Sequence, residues 1–350
     1  MTFAGAAQRK PANWKPLDPA ERAEAIRVLR RNITDLGLTR TDGLRSLARC
    51  ALLLTPAAAT AYLALRTSAP WAWLLHVAIG TAVLCTLPAA YHEAAHRNVS
   101  RSRVVNDGVG TLAAALHGVP FGTWRYFHLA HHANTGTADD SEVYSTAWSR
   151  WSLITFPVTQ WAFLVILWRW TLATARGGGP RWIRSSRQRR AATANAVASV
   201  GIWAAELVGC VLSPRLVPLL VVPCALSVMI AALTLVPEHF PAYRIGPGDP
   251  DQLDRTGTFR SNPLLRLILW NSNFHAAHHF APKVPAHRLR QLDTVVGAVQ
   301  DPAWRWPGYY RWYRDRLREL SWQPVDLTTA ATRPAADAPS AVIHTPTEET

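Results

Sequence analysis

The chain has 350 residues, of which 49% are hydrophobic and 17% charged. A soluble domain is about a quarter charged, so charge is scarce here, and disorder over most of the chain is excluded because disordered segments are poor in apolar residues. The net charge of +14 comes with no zinc-finger, RNP or other nucleic-acid-reading pattern, so no nucleic-acid partner is expected.

The first 42 residues are polar and charged, and no signal peptide is expected there. Within them Pro19–Leu36 has helical spacing, with Ile26, Leu29, Ile33 and Leu36 on one side. It reads as an amphipathic helix on a membrane surface or as a docked soluble helix. Five apolar segments follow: Cys50–Leu65, Trp71–Tyr91, Trp151–Trp168, Ala191–Ser213 and Leu216–Pro237. Such lengths suit membrane helices, and the chain reads as a polytopic membrane protein. The short links Arg66–Pro70 and Ser213–Arg215 make two hairpins. Cys50, Cys85, Cys210 and Cys224 lie in or beside these segments without CxxC pairing and read as small apolar side chains.

Six arginines and no acidic residue occupy Ala173–Ala192, and positive charge marks the cytoplasmic side. That places the N-terminus, residues 92–150, residues 173–190 and the C-terminal region together inside. Residues 128–132 and the region after 237 then share one side, so an even number of crossings separates them. Three apolar segments lie between. Trp151–Trp168, rich in Trp and holding Gln160, is the one expected to be interfacial or re-entrant. The expected fold is all-α, with four spanning helices in two hairpins and a cytoplasmic helical cap. The expected divisions are residues 1–44, a membrane-embedded catalytic domain over 45–300, a C-terminal segment over 301–325, and a disordered tail over 326–350 rich in Ala, Pro and Thr.

Eight of the 13 histidines fall in three clusters: His92-Glu-Ala-Ala-His96, His128-Leu-Ala-His131-His132 and His275-Ala-Ala-His278-His279. Residues three or four apart share one side of a helix turn, and a random chain of this composition would contain about 0.02 HxxHH runs. Neutral imidazole is the commonest metal ligand and suits Fe, Zn, Cu and Ni. Eight such ligands exceed what one ion uses, so two metals are implied. The first cluster alone also spells HExxH, in which two His bind zinc and the Glu is the general base of a protease. That reading leaves the other two clusters unexplained.

Three boxes in the order HxxxH, HxxHH, HxxHH resemble the membrane-bound fatty acid desaturase/hydroxylase superfamily. Around the third box, Trp270-Asn-Ser-Asn-Phe-His275-Ala-Ala-His-His279 with Pro282, Val284-Pro285 and Leu289 is similar to the bacterial pattern WNxNYHxEHHxxPxVPxxxL. Glu238-His239 and Arg255-Thr256 resemble further elements of that subgroup. Ala277 stands where the subgroup usually carries Glu, and Phe274 where it carries Tyr. The resemblance covers roughly residues 50–300. It implies two non-haem irons held by His92, His96, His128, His131, His132, His275, His278 and His279, with His239 as a ninth ligand and O₂ as co-substrate. Glu93 is expected to orient a histidine. Asn271 is expected either near a metal-bound water or as a helix cap. His76, His117, His287 and His344 read as structural or incidental. Glu206 is expected to pair within the bundle, with Arg215 or Asn195.

The implied activity is desaturation of a fatty acyl chain. A hydroxylase or ketolase acting on a lipid or carotenoid-type substrate through the same metals is the alternative, followed by the zinc protease; a metal transporter finds support only in Glu206. The chain shows no CxxCH, ferredoxin cysteine run, GxGxxG after a strand, or HPGG. A ferredoxin or cytochrome b5-like donor with its reductase is therefore expected, steered by Ala173–Ala192 and by Arg288, Arg290 and Arg305. The expected location is a bacterial plasma membrane, with the boxes and both termini cytoplasmic and lipids around the bundle.

Overall fold

The computed structural model describes residues 15, 17–67, 69–137, 139–142, 147–239, 252–253 and 255–326. Of the expected tail, residues 327–350, His344 among them, lie outside the described residues, while Asp326 is described. The described chain is mostly helical. Helix α1 (Pro19–Asp35) starts on a capping box between Asp18 and Glu21. It buries Ile33, with Ile26 and Leu29 partly buried, against the core beneath the third histidine cluster. Leu36 is 56% exposed and Leu38 only 1%. The left-handed turn at Gly37, φ +60°, carries the chain back so that Leu38 fills the place expected for Leu36.

Helices α2 (Gly43–Arg66) and α3 (Pro70–Leu84) form the first hairpin, and α4 (Leu87–Ala95) continues α3. Pro88 lacks the N–H that would bond the Leu84 carbonyl, and the His117 side chain bonds that carbonyl instead. His117 Nε2 also lies 2.8 Å from Ser227 Oγ, so it ties three elements together. His76 does similar work, 3.1 Å from Thr60 Oγ1 and 2.8 Å from the Leu219 carbonyl. Both are structural, as expected. Helices α5 (Arg103–Leu116) and α6 (Phe121–Asn134) pack so closely that a Cβ at Gly110 would lie 2.2 Å from the Phe121 ring.

Helix α7 (Arg150–Ala175) runs unbroken over 26 residues. Helix α8 (Ser186–Leu212) is joined through a π turn at Val217–Val221 to α9 (Val222–His239). By length and composition five stretches are apolar enough to cross a membrane: Gly43–Arg66, Pro70–Ala95, Arg150–Ala175, Ser186–Leu212 and Val217–His239. The expected interfacial segment is thus as long and nearly as apolar as the others. Gln160 within it donates to the Val228 carbonyl at 2.5 Å, which removes the polarity that set it apart. Leu207, Val211 and Leu212 on α8 and Leu52 and Leu54 on α2 stand exposed, as surfaces facing lipid do.

Short helices α10 (Pro263–Ile268), α11 (His275–Phe280), α12 (Ala286–Val296) and α13 (Tyr309–Glu319) cap one end. Two-residue strands pin this cap: β1 (Ala147–Trp148) antiparallel to β4 (Val325–Asp326), and β2 (Thr258–Phe259) parallel to β3 (Arg305–Trp306). Trp312 of α13 is fully buried with Trp148, Phe156, Val236 and Phe259. Residues 301–326 therefore pack into the same core as α7 and α9.

Candidate metal centre

Four helices deliver the histidines. Helix α4 carries His92 and ends at His96, where Arg125 Nε donates to the Ala95 carbonyl at 3.0 Å and Lys283 Nζ to the His96 carbonyl at 3.2 Å. Cations there answer the negative end of the helix. Helix α6 supplies His128, His131 and His132, α11 supplies His275, His278 and His279, and α9 ends on His239. Trp270 and Asn271 adopt left-handed conformations, φ 51° and 60°, which break the chain between α10 and α11.

All nine histidines converge. His92, His96, His128, His132 and His278 bring one nitrogen each within 4.8 Å of one another, and His131, His239 and His279 form a second such group. His275 joins the second, its Nε2 lying 2.8 Å from His239 Nε2. The groups touch, with the His132 and His279 rings stacked at 4.2 Å.

Proton counting indicates what the first group holds. His128 Nδ1 lies 3.0 Å from Glu142 Oε1, so the proton sits on Nδ1 and Nε2 presents a lone pair. His96 Nε2 and His132 Nε2 each lie 3.0 Å from that lone pair, and His278 Nε2 lies 3.0 Å from His132 Nε2. A proton on His132 Nε2 would have to be shared between His128 and His278, and the Nδ1 atoms of His132 and His278 are buried without a partner. Shared three-centre contacts and bare ring nitrogens leave the set poorly satisfied by hydrogen bonds alone, and a cation among the nitrogens would satisfy it better. In the second group His131 Nε2 and His279 Nε2 are buried without a hydrogen-bond partner. The donor set fits a metal in both places.

The supports are polar residues that the histidine spacing does not reveal. Asp140 Oδ1 accepts from His131 Nδ1 at 2.8 Å, and Gln252 Oε1 from His279 Nδ1 at 2.9 Å. Each leaves Nε2 aimed inward, as an outer carboxylate or amide does for metal-bound histidine. Glu238 Oε2 stands 3.4 Å from His275 Nδ1, and its other oxygen accepts from Tyr309 Oη at 2.6 Å. Arg255 Nη1 donates to the Gly136 carbonyl at 2.5 Å and fixes the turn after the second box. Of these, the run Asp139-Asp140-Ser141-Glu142, which begins seven residues after His132, was available in the sequence, and Glu238 and Arg255 stood in the elements that carry the resemblance; nothing in the sequence pointed to Gln252 or Tyr309.

Burial holds His96, His128, His132, His275, His278 and His279 well below the ordinary imidazole range. They are neutral at pH 7, as ligands must be. His131 moves the other way: burial lowers it, but Glu142 and Asp140 outweigh that and raise it. Burial pushes Glu142 up to about 7, with Asp140 adding to the rise and His131 opposing it.

Three expectations change. Glu93 Oε2 accepts the Ala286 backbone N–H at 2.7 Å, so it anchors the start of α12 and orients no histidine. Asn271 sits in the turn before α11, off the His275 helix, and its amide donates to the Ala286 carbonyl at 2.8 Å. The cap residue of α11 is Phe274, so Asn271 does not cap that helix, and its amide nitrogen is taken by the Ala286 carbonyl. Asn195 donates to Thr111 Oγ1 at 2.7 Å in place of Glu206, which forms no ion pair among the described residues.

A cavity of about 440 Å³ opens onto the histidines at His92, His128, His239 and His275. It runs between α4, α6, α7 and α9 past apolar residues such as Phe156, Leu167 and Val228. Trp124 stacks on His128 at 4.8 Å and forms part of the wall.

The family model described as Fatty acid desaturase matches residues 68–323. An oleoyl-12-hydroxylase of Ricinus communis is 26% identical over 268 residues, 68% of each chain. A chloroplastic omega-6 fatty acid desaturase of Arabidopsis thaliana is 25% identical over 252 residues, 65% of this chain and 52% of the relative. An acyl-lipid (9+3)-(E)-desaturase of Dimorphotheca sinuata is 37% identical over 73 residues, 21% of this chain and 19% of the relative.

Proposed function

The chain belongs to the fatty acid desaturase family of membrane oxidoreductases, and from that premise we propose that it introduces a double bond into a fatty acyl chain at two irons held by its nine clustered histidines. The observation that carries this reading is the convergence of nine imidazoles, buried or nearly so, at the end of an apolar cavity. When bound, the irons would use O₂ and two external electrons to remove two hydrogens from adjacent methylenes, with water as the other product.

The residues of the chain supply position and dryness. Asp140, Glu142 and Gln252 hold three rings with Nε2 facing inward. The cavity wall excludes water from the reacting carbons and lays an extended chain past His92 and His275. Glu93 is occupied by the Ala286 N–H, which speaks against its service as the general base of a zinc protease. Hydroxylation on the same site remains a second reading, favoured by the long match to a hydroxylase.

Four of the five apolar stretches would cross the membrane, with the histidines on the cytoplasmic side. The boxes on α6 meet His239 at the end of α9, so an even number of crossings separates them. Helix α7 is the one assigned not to cross. Arg150 at its start donates to the Leu320 carbonyl at 2.5 Å, and Thr171 near its end donates to Thr123 on α6 at 2.7 Å. Both ends thus touch elements of the histidine-bearing cap, which suits a helix lying oblique in the interface. Electrons would come from an acidic ferredoxin or cytochrome b5-like protein. Arg305 is committed to Asp293 at 2.7 Å and drops out of the docking face, as does Arg97, paired with Asp107 at 2.6 Å; the exposed Lys283, beside His96, is better placed.

The test is expression of the full chain with a donor system in a host lacking desaturases, followed by mass spectrometry of cellular fatty acids. A new monounsaturated acid is expected. A hydroxy acid would move the assignment to the second reading, and neither product with metal-loaded protein would overturn both.

A further inference from the structure

A second cavity, of about 430 Å³, shares no lining residue with the first. Three separate segments build it: Arg40 to Gly43 ahead of α2, Ser100 and Arg101 between α4 and α5, and His287 and Arg288 on the first turn of α12. Its charge is one-sided. Three arginines and a histidine face one carboxylate, Asp42, and that carboxylate is already engaged: Oδ1 accepts the Arg45 backbone N–H at 3.0 Å and Oδ2 pairs with Arg45 Nε at 3.0 Å.

Two observations favour an anion there. Arg288 Nε has no hydrogen-bond partner among the described residues, and the exposed end of its guanidinium makes only a long 3.4 Å contact to Gln291. A guanidinium so little engaged keeps its outer N–H donors available to an anion in the cavity. Around His287 the field is positive: burial, then Arg45 and Arg288, hold its ring below the ordinary range, with Asp42 opposing and Arg49 adding. The cavity stands at the head of α2, an apolar helix long enough to span a bilayer, so it lies at the level of lipid headgroups.

We propose that this cavity is a phosphoryl-binding site, in which the guanidinium groups of Arg40, Arg101 and Arg288 and the ring of His287 grip the phosphate of an anionic lipid headgroup or of a soluble phosphate ester. Guanidinium forks match phosphate oxygens in pairs, and several cations on one anion suit a phosphoryl group better than a single carboxylate. The site pins α1, α2, the loop after the first histidine box and the start of α12 to one ligand. Because Ala286 next to it is held by Glu93, occupancy also braces the helix that follows the third box.

The experiment uses the full-length protein in phosphatidylcholine nanodiscs and reads the thermal unfolding midpoint in two titrations, one with rising phosphatidylglycerol and one with inorganic phosphate. A saturable rise is expected. If phosphatidylglycerol alone produces it, the ligand is a lipid headgroup. If inorganic phosphate produces it in full, the ligand is a soluble phosphate ester. Arg101→Gln with Arg288→Gln should weaken half-saturation about tenfold, the effect of losing charge-assisted hydrogen bonds. His287→Ala serves as the milder variant should the double change not fold, with a weakening of about threefold expected. Arg187, Arg189 and Arg190 changed together to Gln should leave half-saturation unchanged. No saturable response to either titrant, or equal weakening by that distant triple change, would overturn the site.

Discussion

The two histidine groups share a wall yet rest on different supports. His92, His96, His128, His132 and His278 come from the interiors and ends of packed helices and meet nitrogen to nitrogen, with only Glu142 behind one ring. His131, His239 and His279, with His275 beside them, lean on polar side chains from remote parts of the chain: Asp140, Gln252, and Glu238 with Tyr309 behind it. The rings of both groups sit on helices and are placed by backbone packing; the second group is held in addition by side-chain hydrogen bonds, and single polar substitutions should loosen it selectively.

The largest effect is expected from removing a shared inner ligand. His132→Ala and His278→Ala should each abolish turnover and strip metal from the first group, since each opens a coordination position and frees its neighbours on the same helix turn. Normal metal content in either variant would dissolve the distinction between the groups. Next, Asp140→Asn and Gln252→Ala should weaken metal affinity about 10–100-fold, the usual cost of losing an outer partner. The loss should fall on one of the two metals, read by chelator competition; equal loss of both would mean that the groups act as one. Smaller again is Tyr309→Phe, which removes the hydrogen bond to Glu238 and nothing else. Stability should fall by about 1 kcal/mol and turnover a few-fold, measured by denaturant unfolding and product formation.

A pH dependence follows for metal-stripped protein. Six buried histidines refuse protons that the unfolded chain accepts near pH 6.5, so below that pH the unfolded state binds more protons and stability falls. His131, raised, contributes stability below pH 6.5 that is lost as pH rises through its folded value. Glu142, raised to about 7, is protonated in the folded state at pH values where the unfolded chain is already ionised, and its contribution likewise fades as pH rises toward 7. Six against two leaves a net loss on acidification from pH 7 to pH 5.5. A flat midpoint over that range would mean that the rings are not buried as described.

The clustered histidines were legible because their spacing repeats the helix period: His92 with His96 and the two HxxHH runs each declare a face. His239 was legible only through the family resemblance, since a lone histidine after a span carries no pattern. The supports were only partly legible: residues 139–142, Glu238 and Arg255 stood out, but Gln252 and Tyr309 did not. Gln252 lies 27 residues before His279, and Tyr309 lies 71 residues after Glu238, so their roles exist only once the cap has folded. Glu93 misled for a related reason: HExxH fixes which residues share a helix turn but not what meets them, and a backbone N–H from α12 arrives first. Helix α7 runs beyond the apolar stretch Trp151–Trp168, and Gln160 is weak evidence about it, because a polar side chain inside an apolar helix is silent once a neighbouring carbonyl accepts it.

The most direct test of the central claim is elemental analysis of purified full-length protein, with Mössbauer spectroscopy on enriched iron. The account predicts two irons per chain in nitrogen-rich sites, with one iron retained in Asp140→Asn after mild chelation. One zinc per chain, or a single iron unaffected by changes at His131, His239 and His279, would contradict it.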